Sequence, residues 1–380
     1  MDHPPHAPSS DSGHPGSTPS GSNGHPGRSP SGPDSHPGGS PMDRDFSRTP
    51  LIVTWEVTQA CGLECDHCRA EAQPDRDPEE LTTEEGKRLL ESVADFGHPP
   101  PILVFSGGDP LERPDLDELV GYASELGLPT AVTPAPTGNL TKDVVERFAE
   151  AGVHRMALSL DGPDAERHDD FRGEAGSYER VQQAAAWAEQ AGLSIQINTT
   201  VTANTAETLP AIADQVEDLG AAMWEVFFLV PIGRGTELEQ LAPVEADEWM
   251  AWLYRRQREA PFRLITVEAP QYRRIAREVE GEPVSVGSTR AGSGFVFVSY
   301  RGEVYPSGFL PESVGNVRET DLVTLYRDSE LFRRLRDSTE FSGRCGRCPY
   351  RELCGGSRSR AYAVTGDPFA SDPLCPLASR

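Results

Sequence analysis

Thr58-Gln59-Ala60-Cys61-Gly62-Leu63-Glu64-Cys65-Asp66-His67-Cys68 brings three cysteines together with the spacing C-x3-C-x2-C. Three thiolates this close can hold three irons of a cubic 4Fe–4S cluster. Such cubes normally take four cysteine ligands, so the fourth iron is left open to another molecule. Two other readings stand beside this one. A zinc site could use His67 with the cysteines, although zinc ligands usually come as two separated pairs. Disulfides are the third reading, but no signal peptide or membrane-spanning run is visible. An apolar run at residues 51–57 precedes the first cysteine and reads as a strand.

From Pro50 onward the chain alternates strands and helices. Strand-like apolar runs fall at 51–57, 102–105, 130–133, 153–160, 194–201 and 223–230. Amphipathic segments at 83–96, 115–126, 141–151, 177–191, 205–219 and 245–258 separate and follow them. Thr82 and Thr83 before Glu85, and Ser177 before Arg180 and Val181, are helix-start signals. Gly97, Gly127, Gly152, Gly192 and Gly220 are stop signals. Six successive βα units imply an α/β fold with a parallel sheet and right-handed crossovers. Six are too few for a closed eight-stranded barrel, so the expectation is an open, partial (β/α)6 barrel.

Chemistry on such sheets gathers at the carboxyl ends of the strands. The cysteines follow the first strand, and Ser106-Gly107-Gly108-Asp109-Pro110 follows the second. Ser159, Asp161 and Gly162 end the fourth, and Asn198 and Thr200 end the fifth. Pro231, Gly233, Arg234 and Gly235 follow the sixth.

The cysteine spacing and the glycine turn together resemble the radical S-adenosylmethionine (SAM) superfamily. The resemblance covers residues 49–380 and implies that the open iron chelates the amino and carboxylate groups of SAM. Gly107, Gly108, Asp109 and Pro110 resemble the family's GGEP-type motif, with Asp for the commoner Glu. On the same resemblance Ser159 and Asp161 contact the ribose and carboxylate of SAM, Arg172 approaches its carboxylate, and Asn198 bonds ribose or adenine. A surface arginine and a turn-capping asparagine are the bland readings of the last two. His67 stands where the family usually has an aromatic.

A second cysteine set lies in the C-terminal third: Cys345, Cys348, Cys354 and Cys375. Four cysteines can close another 4Fe–4S cluster or a zinc site. The C-x2-C-x5-C spacing resembles the SPASM extension, which carries auxiliary clusters. Ser307 stands where its two-cluster version often has cysteine, so one auxiliary 4Fe–4S cluster is expected. Before it, residues 294–299 and 302–305 read as a hairpin, and 319–335 as a helix. Together they make a small α+β iron–sulfur domain, giving a barrel at 49–260 and a second domain at 261–380.

Residues 1–48 are Pro, Gly, Ser and His with almost no large apolar side chains, and are expected to be disordered. The formal charge is −25, from 60 acidic and 35 basic residues, and Lys87 and Lys142 are the only lysines. That balance disfavours nucleic acid and anionic lipid as partners, and it resembles a salt-adapted, cytoplasmic protein. The Tyr305-Pro306-Ser307-Gly308-Phe309-Leu310-Pro311 segment and the cysteine loop resemble the alternative haem synthesis enzymes, including the iron-coproporphyrin decarboxylase. The resemblance implies oxidative radical chemistry on a tetrapyrrole, or else on a ribosomally made peptide, with a ferredoxin or flavodoxin as electron donor. A non-catalytic iron–sulfur or zinc scaffold is the alternative from another class.

Overall fold

Strand β1 (Ile52–Glu56) sets the pattern for the sheet. Val53 and Trp55 are fully buried on one face, while Ile52 and Thr54 on the other are half-buried. Period-two alternation sends one set against the helices and the other into the barrel. The computed structural model describes residues 44–281 and 289–377.

After β1 come α1 (Thr83–Ala94), β2 (Ile102–Ser106), α2 (Leu116–Glu125), β3 (Thr130–Val132) and α3 (Lys142–Glu150). Next are β4 (Arg155–Ser159), α4 (Ala165–Arg172), α5 (Ser177–Ala191), β5 (Ile195–Val201), α6 (Leu209–Asp218), β6 (Met223–Phe228) and α7 (Pro243–Gln257). Strands β1 to β6 pair in sequence order and all parallel. The six expected units are therefore present. Thr82 starts α1 with a capping box: Glu85 N donates to Thr82 Oγ1 (3.3 Å), and Thr82 N to Glu85 Oε2 (2.8 Å). All five predicted stop glycines have positive φ, from 66° at Gly220 to 90° at Gly97. Leu89, Leu90 and Val93 of α1 and Leu119, Val120 and Ala123 of α2 fill the layer between helices and sheet.

The sheet runs past the expected barrel on both edges. Strand β7 (Arg263–Val267) pairs parallel with β6. After α8 (Gln271–Glu280) come β8 (Arg290–Ala291), β9 (Gly294–Val298) and β10 (Val304–Tyr305). Strand β9 pairs parallel with β1, Thr54 opposite Phe297. The sheet order is thus β10-β9-β1-β2-β3-β4-β5-β6-β7, with β8 on β9. A division at 260 therefore does not break the sheet, because the later segment supplies strands to both of its edges. The predicted hairpin is β9 and β10, antiparallel with Val304 opposite Val298. The helix expected at 319–335 is two helices, α9 (Leu322–Asp328) and α10 (Glu330–Arg336). Ser329 between them is extended (φ −63°, ψ 139°), which breaks the helical ladder. Short helices α11 (Gly343–Arg347) and α12 (Arg358–Thr365) complete the described chain.

The expected tail lies outside the described residues as far as 43. Residues 44–48 correct its boundary, since they pack on the fold. Phe46 O accepts from Tyr326 Oη (2.6 Å), and Arg48 O from Arg327 Nε (2.8 Å). A Cβ at Gly294 would lie 2.9 Å from the Phe46 ring. Among the described residues, no helix is long and apolar enough to cross a membrane.

Candidate active site

The cysteine loop lies directly on the glycine turn after β2. A Cβ at Gly107 would stand 2.6 Å from Thr58 O, and one at Gly108 would stand 2.6 Å from Gln59 O. Glycine is required at both positions because the two backbones touch. Gly108 N donates to Thr58 O (2.9 Å) and Asp109 N to Ala60 O (2.7 Å). The turn thereby fixes where Cys61 begins. Cys61, Cys65 and Cys68 share one small apolar cluster with Leu63 and Ala135. Burial pushes the Cys61 thiol up to about 12 and raises that of Cys65. Buried thiols of this kind stay protonated until a metal displaces the proton.

Asp109 is fully buried. Its Oδ1 accepts from Leu111 N (3.1 Å) and Ala135 N (3.2 Å), and its Oδ2 from Thr137 Oγ1 (2.9 Å). Burial nevertheless raises its pKa to about 6. The carboxylate thus ties the turn after β2 to the loop after β3. Pro110 is buried and starts a single turn of 3₁₀ helix.

On the other side of the loop, Asp161 is 2% exposed and pairs with Arg172, Nη1 to Oδ2 3.2 Å. Its Oδ1 accepts from Thr200 N (2.7 Å), and its own N–H donates to His168 Nδ1 (3.1 Å). Arg172 Nη1 also lies 3.2 Å from His67 Nε2. The His67 ring stacks on Phe171, with centroids 4.7 Å apart and planes 8° apart. Burial, then the charges of Arg172, Arg234 and His168, hold the His67 pKa well below its usual value. Its imidazole is neutral, and among the described residues its buried Nδ1 has no partner. Ser159 and Asn198 sit opposite each other on β4 and β5, on the barrel's inner face. Asn198 Oδ1 accepts from Gln196 Nε2 (2.8 Å).

Sequence reasoning left several site residues unassigned. Arg234 Nε donates to Cys65 O (2.8 Å) and its N–H to Cys68 O (3.1 Å). Gly233 (φ 53°) is needed there, since a Cβ would lie 2.5 Å from Cys68 O. Arg69, next to Cys68, pairs with the buried Glu56 at 2.7 Å and lies 4.7 Å over the Phe297 ring. Their signal was position, because both follow elements that end at the site.

The residues after β10 span the mouth of the open sheet. A Cβ at Gly308 would lie 3.0 Å from Phe297 of β9. The next residue, Phe309, meets Phe227 of β6 with centroids 6.5 Å apart. Phe297 also stacks on Tyr305 (6.2 Å, 19°). Arg360 of α12 is fully buried and holds this end together. It donates to Phe228 O (3.0 Å), Leu229 O (3.1 Å) and Glu268 O (2.8 Å), and pairs with Asp372 at 3.3 Å.

Cys345, Cys348, Cys354 and Cys375 line one small cavity with Arg274, Arg351, Gly355 and Gly356. The structure therefore brings the four together across a gap of twenty residues. Burial pushes Cys354 up to about 12 and Cys375 to about 11. Among the described residues, no three His, Cys, Asp or Glu side chains converge as tightly as one metal ion requires. The ligands of a cube stand farther apart than those of a single ion. The donor chemistry of the two sets, three and four cysteines each gathered in one place, is that of 4Fe–4S ligands.

Residues 55–216 match the family model of the radical SAM superfamily. The chain is 40% identical to an AdoMet-dependent heme synthase of Methanosarcina barkeri, over 87% of this chain and 97% of the relative. It is 29% identical to a pre-heme d1 synthase of Dinoroseobacter shibae over 86% of each chain. It is 30% identical to a PqqA peptide cyclase of Bradyrhizobium diazoefficiens over 87% of each. In fold it is similar to Streptococcus suis SuiB bound to S-adenosylmethionine. That match has a TM-score of 0.70 and 19% identity over 87% of this chain and 78% of that one. The open parallel sheet, the cysteine loop seated on a glycine turn, and these relatives agree: the chain belongs to the radical SAM superfamily, among its SPASM-type enzymes.

Proposed function

We propose that the protein is a radical SAM enzyme of tetrapyrrole metabolism that converts propionate side chains of an iron-porphyrin to vinyl groups. The observation that carries this reading is the aromatic wall at the open end of the sheet. Phe227 of β6 meets Phe309 of the spanning segment, and Phe297 of β9, beneath Arg69, stacks on Tyr305 of β10. Flat macrocycles are held by such surfaces, because aromatic contacts add roughly 0.5–1.5 kcal/mol each beyond the area they bury. The relatives sharing 40% identity are AdoMet-dependent heme synthases.

Cys61, Cys65 and Cys68 are the proposed ligands of the SAM-binding cluster, and Cys345, Cys348, Cys354 and Cys375 those of the auxiliary one. When bound, the first cluster supplies the electron that cleaves SAM to methionine and a 5′-deoxyadenosyl radical. The chain's own residues arrange the rest. Gly107, Gly108 and Pro110 shape the turn against which SAM would lie, and Asp109 fixes that turn to the next loop. Asp161 and Arg172 hold the far side of the loop, with Ser159 and Asn198 on the adjoining inner face. The spanning segment shields the centre from water, which protects radical intermediates from side reactions. A small iron–sulfur or flavin protein is the proposed electron donor, and the cytoplasm the proposed compartment.

Absorption titration of the anaerobic holoenzyme with iron-coproporphyrin tests the substrate. Saturable binding is expected, weakened about tenfold by Phe309→Ala, as loss of one ring contact and its buried area implies. Absence of porphyrin binding, together with saturable binding of a peptide, would instead support a peptide-modifying enzyme.

A further inference from the structure

Arg358, the first residue of α12, is 1% exposed. Its Nη1 donates to Pro368 O (3.0 Å) and Ala370 O (2.8 Å), and its Nε to Gly356 O (3.2 Å). Its Nη2 points at Cys345 Sγ, 3.6 Å away. The guanidinium lies 4.5 Å over the Phe341 ring. Arg273 of α8 is 8% exposed and donates to Leu353 O (3.3 Å) and Thr289 O (3.0 Å). Arg290 of β8 donates to Glu352 O (3.4 Å) and Cys354 O (3.3 Å). All three address the loop of the second cysteine set through backbone carbonyls and one sulfur. Among the described residues none of the three has a carboxylate partner. The neighbouring carboxylate, Asp372, pairs with Arg360 and also accepts from Ser357 N and Gln271 Nε2.

A guanidinium buried without a counter-ion, as Arg358 and Arg273 are, is costly, because arginine keeps its charge. Carbonyl oxygens accept from all three arginines, although Arg290 Nε has no partner among the described residues, and they leave the charge uncompensated. The missing negative charge is what four thiolates around a cluster carry. The backbone is shaped to let the cations in. Gly355 and Gly356 both have positive φ, 69° and 71°. A Cβ at Gly355 would lie 2.5 Å from Arg290 Nη1, and one at Gly356 2.6 Å from Arg358 Nη2.

Resting on the assignment of the auxiliary cluster to Cys345, Cys348, Cys354 and Cys375, we propose that Arg358, aided by Arg273 and Arg290, is its counter-charge and raises its reduction potential. Reduction there adds one electron, and so one negative charge, to the cluster. Cations and N–H donors close to the sulfurs favour the more negative, reduced state. Further donors point the same way: Asp372 N lies 3.4 Å from Cys345 Sγ, and Gly356 N 3.4 Å from Cys354 Sγ. A higher potential suits a cluster that must receive an electron during an oxidative reaction.

An EPR-monitored redox titration of the reconstituted holoenzyme is the test, with SAM added to distinguish the first cluster. Arg358→Met should make reduction of the second cluster at least tenfold less favourable, about 59 mV lower for a one-electron couple. Arg358→Lys should recover most of that loss, and the first cluster should not move. Arg273→Gln should shift the second cluster in the same direction by less. It decides the matter by the same criterion if Arg358→Met loses iron. Unchanged or higher potentials with full iron content would overturn the counter-charge proposal alone. A wild type holding about four irons, all lost with Cys65→Ala, would instead overturn the cluster assignment beneath it.

Discussion

His168 accepts the Asp161 N–H at Nδ1 and lies 3.1 Å from Ser177 Oγ at Nε2, inside the fold. Burial, then the charge of Arg172, pushes its pKa down to about 3. Above pH ~6.5 the ring is neutral folded or unfolded. Below that value the unfolded chain takes up a proton that the folded one refuses. Stability is therefore present above the unfolded pKa and falls by about 1.4 kcal/mol per pH unit, down to the folded pKa. His168→Asn keeps an acceptor for Asp161 N but cannot titrate. Its loss of stability between pH 7 and pH 4.5 should be smaller than that of wild type, by on the order of 2 kcal/mol. Equal acid sensitivity of the two proteins in thermal melts would refute this role. At this scale the sequence named Asp161 and Arg172 separately. Their mutual pairing was hidden, because Asp161 on the turn after β4 meets Arg172, the last residue of α4, only once the helix packs. Arg358 was more deeply hidden, since nothing local separates a buried arginine from its many surface counterparts.

Among the elements, the glycine turn after β2 bears the strongest constraint. Gly108→Ala would drive a methyl group into Gln59 O and Ala60 O and displace the start of the cysteine loop. Reconstituted wild type should hold about eight irons, and this variant about half, retaining the second cluster. Iron analysis with 5′-deoxyadenosine assay checks it; full iron and normal SAM cleavage would show the loop to be less tightly seated. The six βα units were legible because their periodicity and stop glycines are local properties. Strand β9 beside β1 was not, because its register joins residues about 240 apart in sequence. Strand β7 buries only Leu264 fully, so no alternation marks it off from a linker. Cys375, the proposed fourth ligand of the auxiliary cluster, was grouped with Cys345, Cys348 and Cys354 in the sequence, but its place beside them across twenty intervening residues is set by the fold.

The whole chain carries far more acid than base, and about −23 of its −25 falls beyond residue 48. Repulsion of that size destabilises the fold at low ionic strength. Molar salt shortens the Debye length to about 3 Å. The Tm should therefore rise markedly between ~0.1 M and ~2 M KCl, and a flat response would confine the acidity to solubility. Truncation separates the two parts of the N-terminal segment. Removing residues 1–43 should leave Tm and iron content unchanged. Removing residues 1–48 also takes Phe46 from Gly294 and the Phe46 carbonyl from Tyr326, and should cost about 2 kcal/mol. Equal melts for the two truncations would show that residues 44–48 contribute nothing to stability.

The central claim is radical chemistry on an iron-porphyrin at the mouth of the sheet. Reduced, reconstituted protein should be incubated anaerobically with SAM and iron-coproporphyrin, and the products followed by mass spectrometry. 5′-Deoxyadenosine and methionine should form, with porphyrin products that have lost carbon dioxide and two hydrogens for each propionate converted. Cys65→Ala should form neither. Unaltered porphyrin beside abundant 5′-deoxyadenosine, or S-adenosylhomocysteine as the sole SAM product, would contradict it.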